Sequence, residues 1–172
     1  QRSFYLSFDI KGLQMKRLSN LLPLLAIATL EGCTTRKTID TQINIDAPPC
    51  AVYETLADFE RYPEWNPYHI RVAGSGVVGE PLEVRVARPD GVVVDVPQVT
   101  LLEAEPCRAL VWGGGVPGVF RGEHRFDLRD TENGGTQLSH TEVFSGLFIG
   151  FADLPVPVLT EGYERMNEAL RE

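Results

Sequence analysis

The stretch from Arg121 to Phe144 constrains this chain most. Arg121 to Arg129 alternates strictly, with His124, Phe126 and Leu128 on one face and Arg121, Glu123, Arg125, Asp127 and Arg129 on the other. Asn133-Gly134-Gly135 follows, a run rich in the residues that tight hairpins require. Beyond it Leu138, His140, Glu142 and Phe144 share a face. Alternation with a period of two on both sides of a turn dictates an antiparallel ribbon with one buried face. Centring the hairpin on Asn133 sets Phe126 opposite His140 and His124 opposite Glu142. Two imidazoles and a carboxylate are therefore expected on the buried face, among apolar neighbours.

The flanking segments extend this sheet. Ile39, Thr41, Ile43 and Ile45 alternate as a strand, and Asp46-Ala47-Pro48-Pro49 then opens a helix, because proline suits a first turn whose N–H groups lack partners. Val52, Leu56 and Phe59 give that helix an apolar stripe, Pro63 stops it, and Trp65-Asn66-Pro67 turns the chain with Asn66 as the capping side chain. Leu82, Val84 and Val86 oppose Glu83 and Arg85 in a second strand. A long strand covers 92–103, with a phase shift at Pro97 that predicts a bulge or an edge. A further strand spans 108–112, and the glycine-rich run from Gly113 to Gly118 reads as a turn. Gly113, Gly115 and Gly118 match a dinucleotide-binding spacing, but a strand follows them rather than a helix, so the phosphate-binding reading fails. Leu159, Tyr163, Met166 and Leu170 recur at helical spacing, with Pro155 and Pro157 expected to delay that helix to about residue 158. Strand, helical pair, about six antiparallel strands and a terminal helix make an α+β domain.

The N-terminal segment stands apart. Lys16 and Arg17 precede ten apolar-rich residues, Leu21 to Leu30, and then Glu31-Gly32-Cys33. A basic stretch, a short apolar stretch and a small residue before a cleavage point are the layout of a secretory signal, too short to span a bilayer. Ending on Leu30, Gly32 and Cys33, the segment resembles a bacterial lipoprotein signal, with Glu31 departing from the usual pattern. The expected division is an upstream extension over 1–14, a signal peptide over 15–32, a lipidated N-terminus at Cys33 with linker over 33–38, and one domain over 39–172. The expected location is the cell envelope, anchored to a membrane through Cys33. The net charge of -8 repels phosphate backbones, so no nucleic-acid partner is expected. Three cysteines occur in all, leaving Cys50 and Cys107 as either a pair or free buried thiols; sequence fixes no separation between them, and the free thiols are the default.

The order of elements, with IDAPPCAVYETLADFERYPEWNP near its start and YERMNEALRE at its end, resembles the START-like superfamily, within it the bacterial polyketide cyclase/dehydrase and lipid-transport group. The resemblance implies a helix-grip fold: a seven-stranded curved antiparallel sheet around a long C-terminal helix, a short helical pair after the first strand, and an apolar cavity between sheet and helix. A small lipid- or polyketide-like ligand is expected there, lined by Val84, Val86, Trp112, Phe126, Phe144, Phe148, Leu159 and Tyr163. His124, His140 and Glu142 would supply the few oriented polar contacts. The alternative is a cyclase or dehydratase with His124 and Glu142 as acid–base partners; binding is preferred to turnover. A third possibility, a protein-interaction module, would show an exposed apolar patch near Pro155 and Pro157. No cofactor is expected, nor a metal, since two histidines and a carboxylate need converging geometry that spacing cannot prove. The oligomeric state is left open.

Overall fold

The computed structural model describes residues 35–152 and 154–172. The upstream extension, the signal-like segment and Cys33 lie outside the described residues.

Seven strands form one antiparallel sheet: β1 (Arg36–Ile45), β2 (His69–Ala73), β3 (Pro81–Ala87), β4 (Val93–Glu105), β5 (Ala109–Val116), β6 (Phe120–Asp130) and β7 (Thr136–Ser145). Their order is β1-β7-β6-β5-β4-β3-β2, so the first strand returns to pair with the last. Between β1 and β2 run α1 (Pro49–Ala57), a 3-10 turn (Phe59–Arg61) and α2 (Tyr62–Trp65). The terminal helix α3 (Val156–Arg171) lies in the grip of the sheet. The fold is a helix-grip. Leu159, Tyr163 and Met166 of α3 are buried with Ile39, Leu110, Phe126 and Leu138 of the strands, each apolar side chain contributing on the order of 1.5–3 kcal/mol.

The β6–β7 register pairs Phe126 with His140 and His124 with Glu142, as the alternation requires. The phase shift at Pro97 is a bulge. Leu82 pairs with Val99 but Val84 with Val96, so β4 carries one residue more than β3 there, and Gln98 takes φ 57.

Three expectations are corrected. The glycine run is strand: β5 pairs with β6 through Gly113, Gly114 and Gly115 as far as Val116, and the turn shifts to 117–119. The cause is close approach, since a Cβ on Gly114 would lie 2.5 Å from the Gln98 carbonyl of the β4 bulge. The prolines do not delay α3. It starts at Val156, with Pro155 as N-cap and Pro157 in a first turn whose N–H groups have no helical partner to lose. Cys50 and Cys107 are not free buried thiols. They form a disulfide that ties the start of α1 to the β4–β5 turn, with Cα atoms 4.1 Å apart, a proximity that only the packing of α1 beneath the sheet creates.

Candidate functional site

The three histidines of the chain meet in one cluster, and two of them were legible as partners in the alternation. His69 was not. The Asn66 side-chain oxygen accepts the N–H groups of Tyr68 (2.9 Å) and His69 (2.8 Å), so the turn after α2 delivers both residues directly into β2. A bulge at Ile70 then lets His69 pair with Val86 and Val72 with Val84, which turns His69 and Tyr68 both inward. Simple alternation from Tyr68 through Ile70 to Val72 would have put His69 in water.

A hydrogen-bonded chain runs from the cavity across the inner face of the sheet to the edge strand β1. The Tyr163 hydroxyl donates to Glu142 Oε2, which lies 3.3 Å from His124 Nδ1. His124 Nε2 is 2.8 Å from His140 Nε2, and His140 Nδ1 is 2.7 Å from Asn167 Oδ1. Asn167 donates its amide to Thr41 Oγ1 at 3.0 Å, and Thr41 donates in turn to the His140 carbonyl at 3.1 Å. Trp112 stacks on His124 with centroids 5.0 Å apart, and Tyr163 stacks on His140 at 4.5 Å. Both imidazoles are buried.

The chain dictates where its protons are. Asn167 presents its oxygen to His140, so His140 carries its proton on Nδ1 and offers a lone pair at Nε2. His124 must then donate from Nε2, which leaves its Nδ1 bare when the ring is neutral. A bare Nδ1 facing Glu142 needs a donor, and the donor is the protonated carboxyl. The electrostatics agree. Burial pushes Glu142 up to about 8 and His124 down to about 3, and holds His69 and His140 well below the usual imidazole range. At neutral pH the cluster is therefore uncharged, with one acidic proton on Glu142 Oε2.

A cavity of about 340 Å³ lies above this cluster, between the sheet and α3. Val84, Val86, Trp112, His124, Glu142, Phe144, Leu159 and Tyr163 line it; Phe126, His140 and Phe148 do not. Phe126 and His140 sit one layer deeper, fully buried, and Phe148 is 56% exposed at the surface. Sequence reasoning missed Tyr68, His69, Arg88, Phe120 and the bulge residues Val96 and Pro97, all of which line the cavity. Gly122 makes the room: a Cβ there would lie 3.0 Å from Glu142 Oε1 and 3.4 Å from the Phe144 ring. Several polar atoms on lining side chains are left for a ligand, among them one each on Glu142, His69 and Arg88. Glu142 Oε1 has no partner among the described residues and accepts. His69 donates from Nδ1 to Met166 Sδ at 3.3 Å, which leaves Nε2 as a second acceptor. Arg88 Nε is a buried donor without a partner, while its other arm pairs with Asp90. Among the described residues, no group of His, Cys, Asp and Glu side chains is placed to hold a metal ion.

The chain belongs to the polyketide cyclase/dehydrase and lipid transport family, whose pattern matches residues 36–172. No curated protein sequence matches it. Among solved structures it is similar to the di-domain ARO/CYC BexL from the BE-7585A biosynthetic pathway (TM-score 0.60, 16% identity), covering 79% of this chain and 49% of BexL. The chain thus spans about half the length of that protein. It is similar also to Ara h 8.0201 (TM-score 0.57, 15% identity, 80% of this chain and 96% of that one). The protein CV1439 from Chromobacterium violaceum matches with TM-score 0.57 at 18% identity, over 78% of this chain and 94% of its own. At these identities the likeness is one of fold. Family and cavity together support a ligand-binding or cyclase-type function.

Proposed function

We propose that this domain binds a small, largely apolar molecule bearing a hydroxyl group, as a carrier in the bacterial cell envelope. The observation that carries this reading is the neutral Glu142 carboxyl on the wall of an apolar cavity, with its proton committed to His124 and Oε1 left as an acceptor. His69 Nε2 is a second acceptor on the same wall, so a ligand hydroxyl donates into this region while the apolar body lies against Val84, Val86, Phe144 and Leu159. The envelope location is supported by the signal-like segment ending at Cys33 and by the Cys50–Cys107 disulfide, a bond that persists in oxidising compartments.

The paired probes naphthalene and 1-naphthol test this. A hydrogen bond to Glu142 or His69 gives 1-naphthol an advantage of about threefold to tenfold in affinity. Equal affinities for the two would overturn the hydroxyl preference, and no binding of either would overturn the carrier.

A second reading is a cyclase or dehydratase in which His124 and Glu142 share and transfer one proton, favoured by the 3.3 Å contact between them. Glu142→Gln separates the two. The amide keeps a donor toward His124 and an oxygen toward the cavity and loses only the acceptor used by the Tyr163 hydroxyl, so a carrier keeps its ligand at neutral pH, whereas an acid–base catalyst loses turnover.

A further inference from the structure

Eleven large hydrophobic side chains are exposed among the described residues, and nine of them crowd one end of the sheet. The β3–β4 hairpin carries Val92, Val93, Val94 and Val96 there. The β5–β6 turn adds Val116 and Val119, and the segment after β7 adds Leu147, Phe148 and Phe151. The register makes this one surface. Val99 pairs with Gly114 and Val116 with Phe120, while Ser145 pairs with both Arg121 and Arg36, so the start of β4, the end of β5, the start of β6, the end of β7 and the start of β1 lie together. Backbone hydrogen bonds from Leu147 to the Gly118 carbonyl (3.0 Å) and from Phe148 to the Val119 carbonyl (3.1 Å) tie the two loops into one rim. The cavity opens at this end, since Val94, Val96, Gly115, Phe120, Leu154 and Pro155 line it.

We infer that this rim is a bilayer-docking face that seats the cavity mouth in the lipid interface, so that an apolar ligand passes between membrane and cavity without crossing water. Phe151 is 86% exposed and Phe148 56%, a cost in water that an acyl-chain layer removes. The path of the chain selects a bilayer as the occupant. β1 enters at this end, and Thr35 Oγ1 lies 3.8 Å from where a Cβ on Gly150 would sit, within the rim segment. Cys33 is two residues further back, a span of at most about 7 Å of extended chain. An acyl group on Cys33 would therefore bring the membrane within reach of this face. Arg36 is exposed beside it, and Lys37 donates to the Ala152 carbonyl at 3.3 Å, which places two cations at the edge of the apolar patch. The inference rests on the envelope location proposed above.

The test uses the full chain with Cys33→Ser, which removes acylation, and Phe151→Trp as a reporter, with the Phe151 protein as background for Trp65 and Trp112. Vesicles of phosphatidylethanolamine and phosphatidylglycerol are added, with and without brominated acyl chains. The introduced tryptophan shifts to the blue and is quenched by the brominated chains. Changing Leu147 and Phe148 to Ser lowers vesicle partitioning about tenfold or more, since each buries an apolar side chain in the bilayer. Attachment with an unshifted tryptophan would mean that only the N-terminal segment binds, and would overturn the docking face. So would no binding at all, or a dimer that the Leu147/Phe148 changes dissolve, which would make a second copy the occupant. The mass of Cys33 in the exported native chain reads the envelope anchor separately, and the naphthol comparison reads the ligand, so either can fail while the vesicle result stands.

Discussion

His140 Nε2 lies 2.8 Å from His124 Nε2, and because Asn167 takes the proton on His140 Nδ1, the hydrogen between the two rings belongs to His124. That one assignment propagates to the cavity. It leaves His124 Nδ1 without a proton and requires Glu142 to supply one, so an asparagine on α3 sets the protonation state of a carboxyl on β7. Two buried histidines would be costly as cations, and the arrangement keeps both neutral while satisfying three of their four ring nitrogens within the Asn167–His140–His124 chain and the fourth with Glu142.

Stability is expected to peak near pH 6.5. Glu142 holds its proton more tightly in the fold, at about 8 against an ordinary 4.5, so its contribution is complete below 4.5 and is lost as pH rises through about 8. The histidines have the opposite sign. With His124 at about 3 against 6.5, and His69 and His140 shifted the same way, their contribution is present above 6.5 and is lost as pH falls. Three histidines outweigh one carboxyl between 4.5 and 6.5, and only the carboxyl acts above it. Denaturant midpoints across pH check this: Glu142→Gln should flatten the alkaline limb and leave the acid limb. An unchanged alkaline limb would refute the neutral carboxyl.

Gly122→Leu should close the cavity and spare the fold. A Cβ at this position already meets Glu142 Oε1 at 3.0 Å and the Phe144 ring at 3.4 Å, so a longer side chain is driven into the open volume. Binding of 1-naphthol should fall at least tenfold while the circular dichroism spectrum keeps its shape. Retained affinity would place the ligand elsewhere.

Asn167→Leu should cost about 1–3 kcal/mol, because it strips the buried His140 Nδ1–H of its acceptor and Thr41 Oγ1 of its donor. The proton logic adds a readout that mere packing loss would not move. Freed of its partner, His140 can change tautomer, and the imidazole nitrogen resonances of both His140 and His124 should shift. Shifts confined to His140 would break the proposed coupling.

Cys50→Ser with Cys107→Ser should lower stability by about 2–4 kcal/mol, the range expected for opening a loop of 57 residues. Chemical unfolding with and without reductant measures it on the unaltered protein. A midpoint indifferent to reductant would show that the thiols are not paired.

Alternation is enough to set the hairpin, its register and the meeting of His124 with Glu142, because it is a local property and burying one face of a ribbon forbids a slip of one residue. The same logic drew β1, the core stripe of α1 and the buried face of α3. Packing between distant segments set the rest. It turned the glycine run into strand because the β4 bulge leaves no space for a Cβ on Gly114, and it brought Cys50 to Cys107 because α1 folds back beneath the sheet. His69 reached the cavity through a bulge that breaks the period, and Asn167 reached His140 from a different element. Periodicity reports which face of an element is buried; which groups meet there depends on contacts between segments far apart in the chain, and on the single-residue bulges that reset the pattern between them.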